Sequence, residues 1–103
     1  MKLVEDEGIL ALTSEQTEEL CTIAEEAARK YILSKVPRKS IEKLNVSAEA
    51  EGTRPVNLEI EVDVGLSPML EEFDVQQLVN EAVREGFRSA ERYLGELECH
   101  SRK

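Results

Sequence analysis

The residue types that most readily do chemistry are scarce in this chain: two cysteines, Cys21 and Cys99, and one histidine, His100, among 103 residues. A nucleophile needs a base held in register and a third group to orient that base. Cys99 and His100 are followed only by Ser101, Arg102 and Lys103, which offer no such framework. Cys21, Cys99 and His100 also lack the spacing of a metal site, and alternating acids on a strand face attract divalent cations only weakly. Gly52, Gly65, Gly86 and Gly95 are isolated and build no phosphate loop, dinucleotide fingerprint or nucleophile elbow. The sequence predicts no catalytic residue, no cofactor, no resident metal and no enzymatic activity by this chain alone.

Binding chemistry is better represented. Arg84, Arg88 and Arg92 recur every four residues, interleaved with Glu81, Glu85, Glu91 and Glu96. That spacing puts the arginines on one helix face, where a solvated charged surface is the simplest account. Arginine also suits planar bidentate contacts with an acidic partner, so these three are candidate partner-binding residues. Leu33, placed opposite the apolar stripe of its helix, is the fourth candidate.

Six of the 13 basic residues fall between Arg29 and Lys43: Arg29, Lys30, Lys35, Arg38, Lys39 and Lys43. Cations are favoured at a helix C-terminus by the macrodipole, which accounts for such a cluster without a ligand. The formal net charge is −9 and the pI about 4.6. Nucleic-acid binders draw most of their nonspecific affinity from cations on phosphates, so autonomous nucleic-acid binding is not expected.

The elements that must carry these residues read in the order α, β, β, α. Thr13 with Gln16 has the spacing of a capping box, and Glu15, Glu18 and Glu19 suit the first turns of the helix it opens. Leu20, Ile23, Ala24, Ala27, Ala28, Tyr31 and Ser34 fall on one face, and Pro37 ends the pattern at Val36. Ser67-Pro68 could open a single turn. Asp74 with Gln77 repeats the capping box, with Phe73 placed to staple onto Leu78. A broad apolar stripe then runs from Val75 to Leu97, with Gly86 at its middle suited to a close approach to the sheet or to the other helix.

Between the helices, residues 44–66 alternate apolar and polar with the acids on one side, which is a β-hairpin broken at Gly52-Thr53-Arg54-Pro55. Pairing Ala50 with Val56 and Lys43 with Asp63 avoids acids directly opposite each other, whereas a slide of two residues sets Glu49 against Glu59. The first register is therefore expected. A two-stranded sheet is marginal alone, so two helices should pack on its apolar face, giving an α+β fold with an acidic open face. An edge should be extended by the N-terminal arm, whose apolar clusters are Leu3-Val4 and Ile9 to Leu12, or by a second subunit. The arm's short, interrupted runs favour the second subunit.

The expected organisation is an arm over 1–12, one domain over 13–98 and a tail over 99–103. No 18-residue apolar run and no basic-then-apolar start occurs, which predicts a cytoplasmic protein without a membrane span or secretory signal. Two distant cysteines suit a reducing compartment, and 19 Glu against 3 Asp resembles thermophile composition.

The run Leu20-Cys21-Thr22-Ile23-Ala24-Glu25-Glu26-Ala27-Ala28-Arg29-Lys30-Tyr31-Ile32-Leu33-Ser34-Lys35-Val36-Pro37, continuing through Ile41 to Glu51 and Leu66-Ser67-Pro68, resembles a small archaeal family of unknown function. That family resembles paralogues of the small dimerising subunit of the KEOPS complex, which makes threonylcarbamoyladenosine in transfer RNA. The resemblance implies a small antiparallel sheet backed by two helices, and a dimer that supports a catalytic subunit without doing chemistry. Two strands are expected here against three in the dimerising subunit, and no catalytic residue carries over. The expected function is a noncatalytic interaction subunit, a homodimer or heterodimer through the sheet, with KEOPS subunits as partners. A KH-like RNA-binding module, which would need the GxxG clamp absent here, and a chaperone-like accessory factor are the alternatives.

Overall fold

A computed structural model describes residues 2–9, 12–51, 56–68 and 74–101, with 2–9, 51, 56 and 97–101 described through their backbone. The elements are β1 (Lys2–Ile9), α1 (Ser14–Lys35), a 3-10 turn (Arg38–Ser40), β2 (Ile41–Glu51), β3 (Val56–Leu66) and α2 (Val75–Ser101). The three strands form one antiparallel sheet in the order β1-β3-β2, and both helices pack against it.

The helix boundaries follow their local chemistry. The Thr13 N–H donates to Gln16 Oε1 at 3.0 Å and the Gln16 N–H donates to Thr13 Oγ1 at 3.1 Å, a complete capping box. Asp74 Oδ1 accepts from the Gln77 N–H at 3.0 Å. At the far end of α1, Pro37 forces Val36 out of helical geometry, to φ −127° and ψ 131°. The expected Phe73 staple, the turn after Ser67-Pro68 and the hairpin loop at 52–55 lie outside the described residues.

Three expectations change. The segment assigned to an arm is a strand: β1 pairs along β3, from Lys2 opposite Asp63 to Ile9 opposite Val56. The first edge of the hairpin is thus filled from within the chain, not by the second subunit favoured from sequence. α2 continues to Ser101, past the boundary expected at residue 98. The buried face of α1 is Leu20, Ala24, Ala28 and Ile32, with Ile23, Ala27 and Tyr31 half-buried and Ser34 exposed. The helix faces both the sheet and α2, so its buried stripe is turned from the face that a single contact surface would select.

The hairpin register is also corrected. Ala50 pairs with Leu58, Ala48 with Ile60, Val46 with Val62 and Leu44 with Val64, which sets Glu49 opposite Glu59. The expected register would place Ala50 opposite Val56 but Val64 opposite Glu42. The observed one places Val64 opposite Leu44 and, across an irregularity between Ile41 and Lys43, Leu66 opposite Ile41. Cross-strand pairs of either kind are worth about 0.2–1 kcal/mol each, and the slide exchanges one apolar pair for two at the cost of one like-charge pair on an open face. Lys43 still reaches Asp63, diagonally, with Nζ 2.9 Å from Oδ2. Gly65 stands opposite Lys43 and has no side chain to block that path.

Gly86 fixes the closest approach between layers. A Cβ there would lie 2.8 Å from Ile60 Cδ1 and 3.1 Å from the Ala24 carbonyl oxygen. The close approach expected from sequence is therefore made to the sheet and to α1 together. Gly86→Ala should lose about 1 kcal/mol, because overpacking outweighs the helix-propensity gain, whereas Gly95→Ala, with nothing within 4 Å of its Cβ, should gain up to about 1 kcal/mol. Urea denaturation measures both, and equal stabilisation by the two would contradict this packing. Glu59→Lys should add about 0.5 kcal/mol by facing Glu49, and a neutral result in the same assay would contradict the register.

Candidate partner-binding surface

The four residues singled out by sequence do not form one surface. Leu33 lies on α1 and is half-buried, so it exposes less apolar area than its helical position suggested. Arg84, Arg88 and Arg92 are exposed on α2. Arg84 Nη1 lies 3.0 Å from Glu81 Oε1, and Arg88 pairs with Glu85, one turn back in each case. Exposed pairs of this kind contribute little to stability, but they occupy the guanidinium groups that a partner would need. Among the described residues only Arg92 of the three forms no ion pair.

The basic stretch is arranged differently. Arg29, Lys30, Lys35, Arg38, Lys39 and Lys43 are all exposed. They sit where the end of α1, the 3-10 turn and the start of β2 meet. The Ser67 N–H donates to the Ser40 carbonyl oxygen at 2.8 Å and ties this corner to the end of β3. Lys35 Nζ stands 5.6 Å from the centre of the Tyr31 ring.

At the other end of α1, Thr17, Glu18, Cys21 and Thr22 line an open groove of about 660 Å³ with Glu49 and Ala50 of β2. Partial burial raises the Cys21 thiol pKa, and the carboxylates of Glu25 and Glu49 raise it further. Thiolate is disfavoured there, the reverse of what a cysteine nucleophile or a metal thiolate requires. Tyr93 Oη donates to Glu19 Oε2 at 3.0 Å, joining α2 to α1, and desolvation followed by Glu19 holds its phenol above the usual pKa. Among the described residues no three His, Cys, Asp or Glu side chains are placed to share a metal ion. No helix among them is long and apolar enough to cross a membrane.

The sheet contributes the longest continuous feature. β3 is covered on both sides, by β1 and β2, so the outer side of the 11-residue β2 is a sheet edge. Ile41, Leu44, Ala48 and Ala50 of that strand are only partly buried on the helix-facing side. Sequence reasoning placed a free edge on the hairpin but could not say which side, because β1 was not legible as a strand.

A crystal structure from Thermococcus onnurineus NA1 matches this fold with a TM-score of 0.83 at 28% identity, over 97% of this chain and 96% of that one. An uncharacterised protein of Thermococcus kodakarensis is 27% identical over 90 residues, 87% of this chain and 82% of its own length. One from Pyrococcus horikoshii is 28% identical over 90 residues, 87% of this chain and 77% of its own length. Residues 9–93 match the model of a family described as a protein of unknown function, DUF3194, and the chain belongs to that family.

Proposed function

We propose that this protein is a noncatalytic interaction subunit that joins β2 to the matching edge of a second chain. The assembly it serves, on this reading, is the KEOPS complex that makes threonylcarbamoyladenosine in transfer RNA. The observation that carries the dimer is the 11-residue β2 edge, a length of backbone donors and acceptors suited to strand addition. The edge of β1 is a poorer candidate because Glu5, Asp6 and Glu7 fall in succession along it.

The charges of β2 are self-complementary. Antiparallel pairing of two copies about Val46 sets Lys43 opposite Glu49, Asn45 opposite Ser47 and Leu44 opposite Ala48, with each residue on its own face of the sheet. The same arrangement covers the half-buried Leu44 and Ala48 and joins two three-stranded sheets into one. A paralogue with a similar edge can replace either copy. Support for the KEOPS assignment is the sequence resemblance, together with β1, which brings the strand count to the three of the dimerising subunit.

Light scattering should give the mass of a dimer for the wild type and a smaller mass for Lys43→Glu, which faces Glu49 with a like charge. Adding Glu49→Lys should restore the dimer. Mixing with the small KEOPS dimerising subunit of the same organism should give a stable one-to-one complex in place of the homomers. A monomer throughout would refute the edge interface, and homomers unchanged by mixing would refute the KEOPS role.

A further inference from the structure

We propose that the basic corner formed by the end of α1 and the 3-10 turn binds the phosphate backbone of a folded RNA, with Arg29, Lys30, Arg38 and Lys39 as the contacting residues. Residues 29–43 carry six cations against one acid, Glu42, a local charge of +5, while the rest of the chain carries seven cations against 21 acids, or −14. The fold exposes all six cations, and of them Lys30 lines a groove with an acid of α2, Glu85.

The macrodipole explains only part of it. Its effect is confined to the last turn of a helix, where the basic residue is Lys35. Lys43 is accounted for by Asp63. Arg29 and Lys30 lie more than a turn upstream, Arg38 and Lys39 lie beyond the helix, and among the described residues these four form no ion pair. Arg84 and Arg88, in contrast, are each matched with an acid on their own helix.

Phosphate fits this corner better than an acidic protein surface does. Protein interfaces centre on apolar and aromatic residues, whereas here the nearby apolar side chains Tyr31, Leu33 and Ile41 are already half-buried. Phosphate contacts need only accessible cations. Glu25 and Glu26 stand one turn before Arg29 and Lys30, about 6 Å along the axis and inside the Debye length of about 8 Å at 0.15 M, so they weaken the field of those two cations. Arg38 and Lys39 in the 3-10 turn, with Glu42 as the nearest acid in the sequence, carry most of it. The acidic remainder keeps the affinity modest, so the isolated chain binds RNA weakly, where the net charge alone predicted no autonomous binding. The corner is suited to supplementing RNA contacts made by other subunits, a role that rests on the proposed assembly.

Fluorescence polarisation of a labelled transfer RNA transcript with the full chain, from 50 to 200 mM salt, tests this. Binding should fall in the range of about 1–100 µM, and Arg38→Glu with Lys39→Glu should weaken it about tenfold and flatten the log–log salt slope by about 1.5. Arg84→Glu with Arg88→Glu changes net charge equally and should alter affinity less than twofold. Arg38→Gln with Lys39→Gln should give an intermediate loss, with thermal melts confirming folded protein. No RNA binding, equal loss from both glutamate pairs, or displacement of RNA by polyglutamate at equal charge would overturn the proposal. Light scattering on the same samples keeps the readings separate, because the Arg38 and Lys39 variants should retain the wild-type mass.

Discussion

At Gly86 the backbone of α2 comes so near the Ala24 carbonyl oxygen and the Ile60 side chain that there is no room for a Cβ. That contact sets the distance between the two helices and between α2 and the central strand. It is made by small residues on both helices, with Ala24 and Ala28 on α1 and Ala82, Gly86 and Ala90 on α2 all buried. Close approach there lets Leu20, Ile32, Leu58, Ile60, Val62 and Val79 bury fully around it. Such side chains contribute about 1.5–3 kcal/mol each, in a chain whose size leaves little surplus. Wider helix spacing would uncover several of them at once. β3 feels this most, since Leu58, Ile60, Val62 and Val64 are all buried in it.

What was legible in the sequence was what short-range chemistry decides. The Thr13 capping box, the Asp74 bond to the Gln77 N–H and the break at Pro37 depend on residues within one turn of each other, and of the second capping box read at Asp74 that one bond is described. The register of β2 on β3 depends on a balance along the whole strand. Weighing charge pairs alone gave the wrong answer, because the like-charge cost at Glu49 and Glu59 is smaller than the gain from pairing Leu44 with Val64 and Ile41 with Leu66. The strand β1 was hidden for a related reason: Glu5, Asp6 and Glu7 interrupt the apolar alternation, and pairing with β3 is supplied by a segment some 50 residues away. The candidate surface was partly legible. Arginine spacing on α2 correctly indicated an exposed face, but the same spacing supplies each of Arg84 and Arg88 with a neighbouring acid.

Charge in this protein is therefore organised by element. On α2, opposite charges alternate and meet within a turn. On the sheet's open face, acids gather and are relieved in part by Lys43 across Gly65. At the corner between α1 and β2, cations gather and, among the described residues, five of the six find no acid. Stability does not demand this distribution. Exposed ion pairs are worth about 0–1 kcal/mol, so neither pairing nor unpairing these residues changes the fold greatly. The core residues, by comparison, admit few substitutions without loss.

That difference gives the surface its meaning. Positions held by packing report on the fold, whereas exposed charges whose placement the fold barely constrains are free to respond to what lies outside it. The β2 edge and the basic corner are adjacent in the chain yet make different demands on a partner. The edge offers directional backbone groups and half-buried apolar residues, which only an extended chain of matching register can satisfy. The corner offers cations without a fixed acceptor geometry, which tolerates many arrangements of phosphate. Lys43 stands between them in the chain and pairs with Asp63 on the sheet, while Arg38 and Lys39 are exposed in the turn. On the proposed reading, both partners of this chain, unlike in their chemistry, would be met by surfaces that its packing does not require.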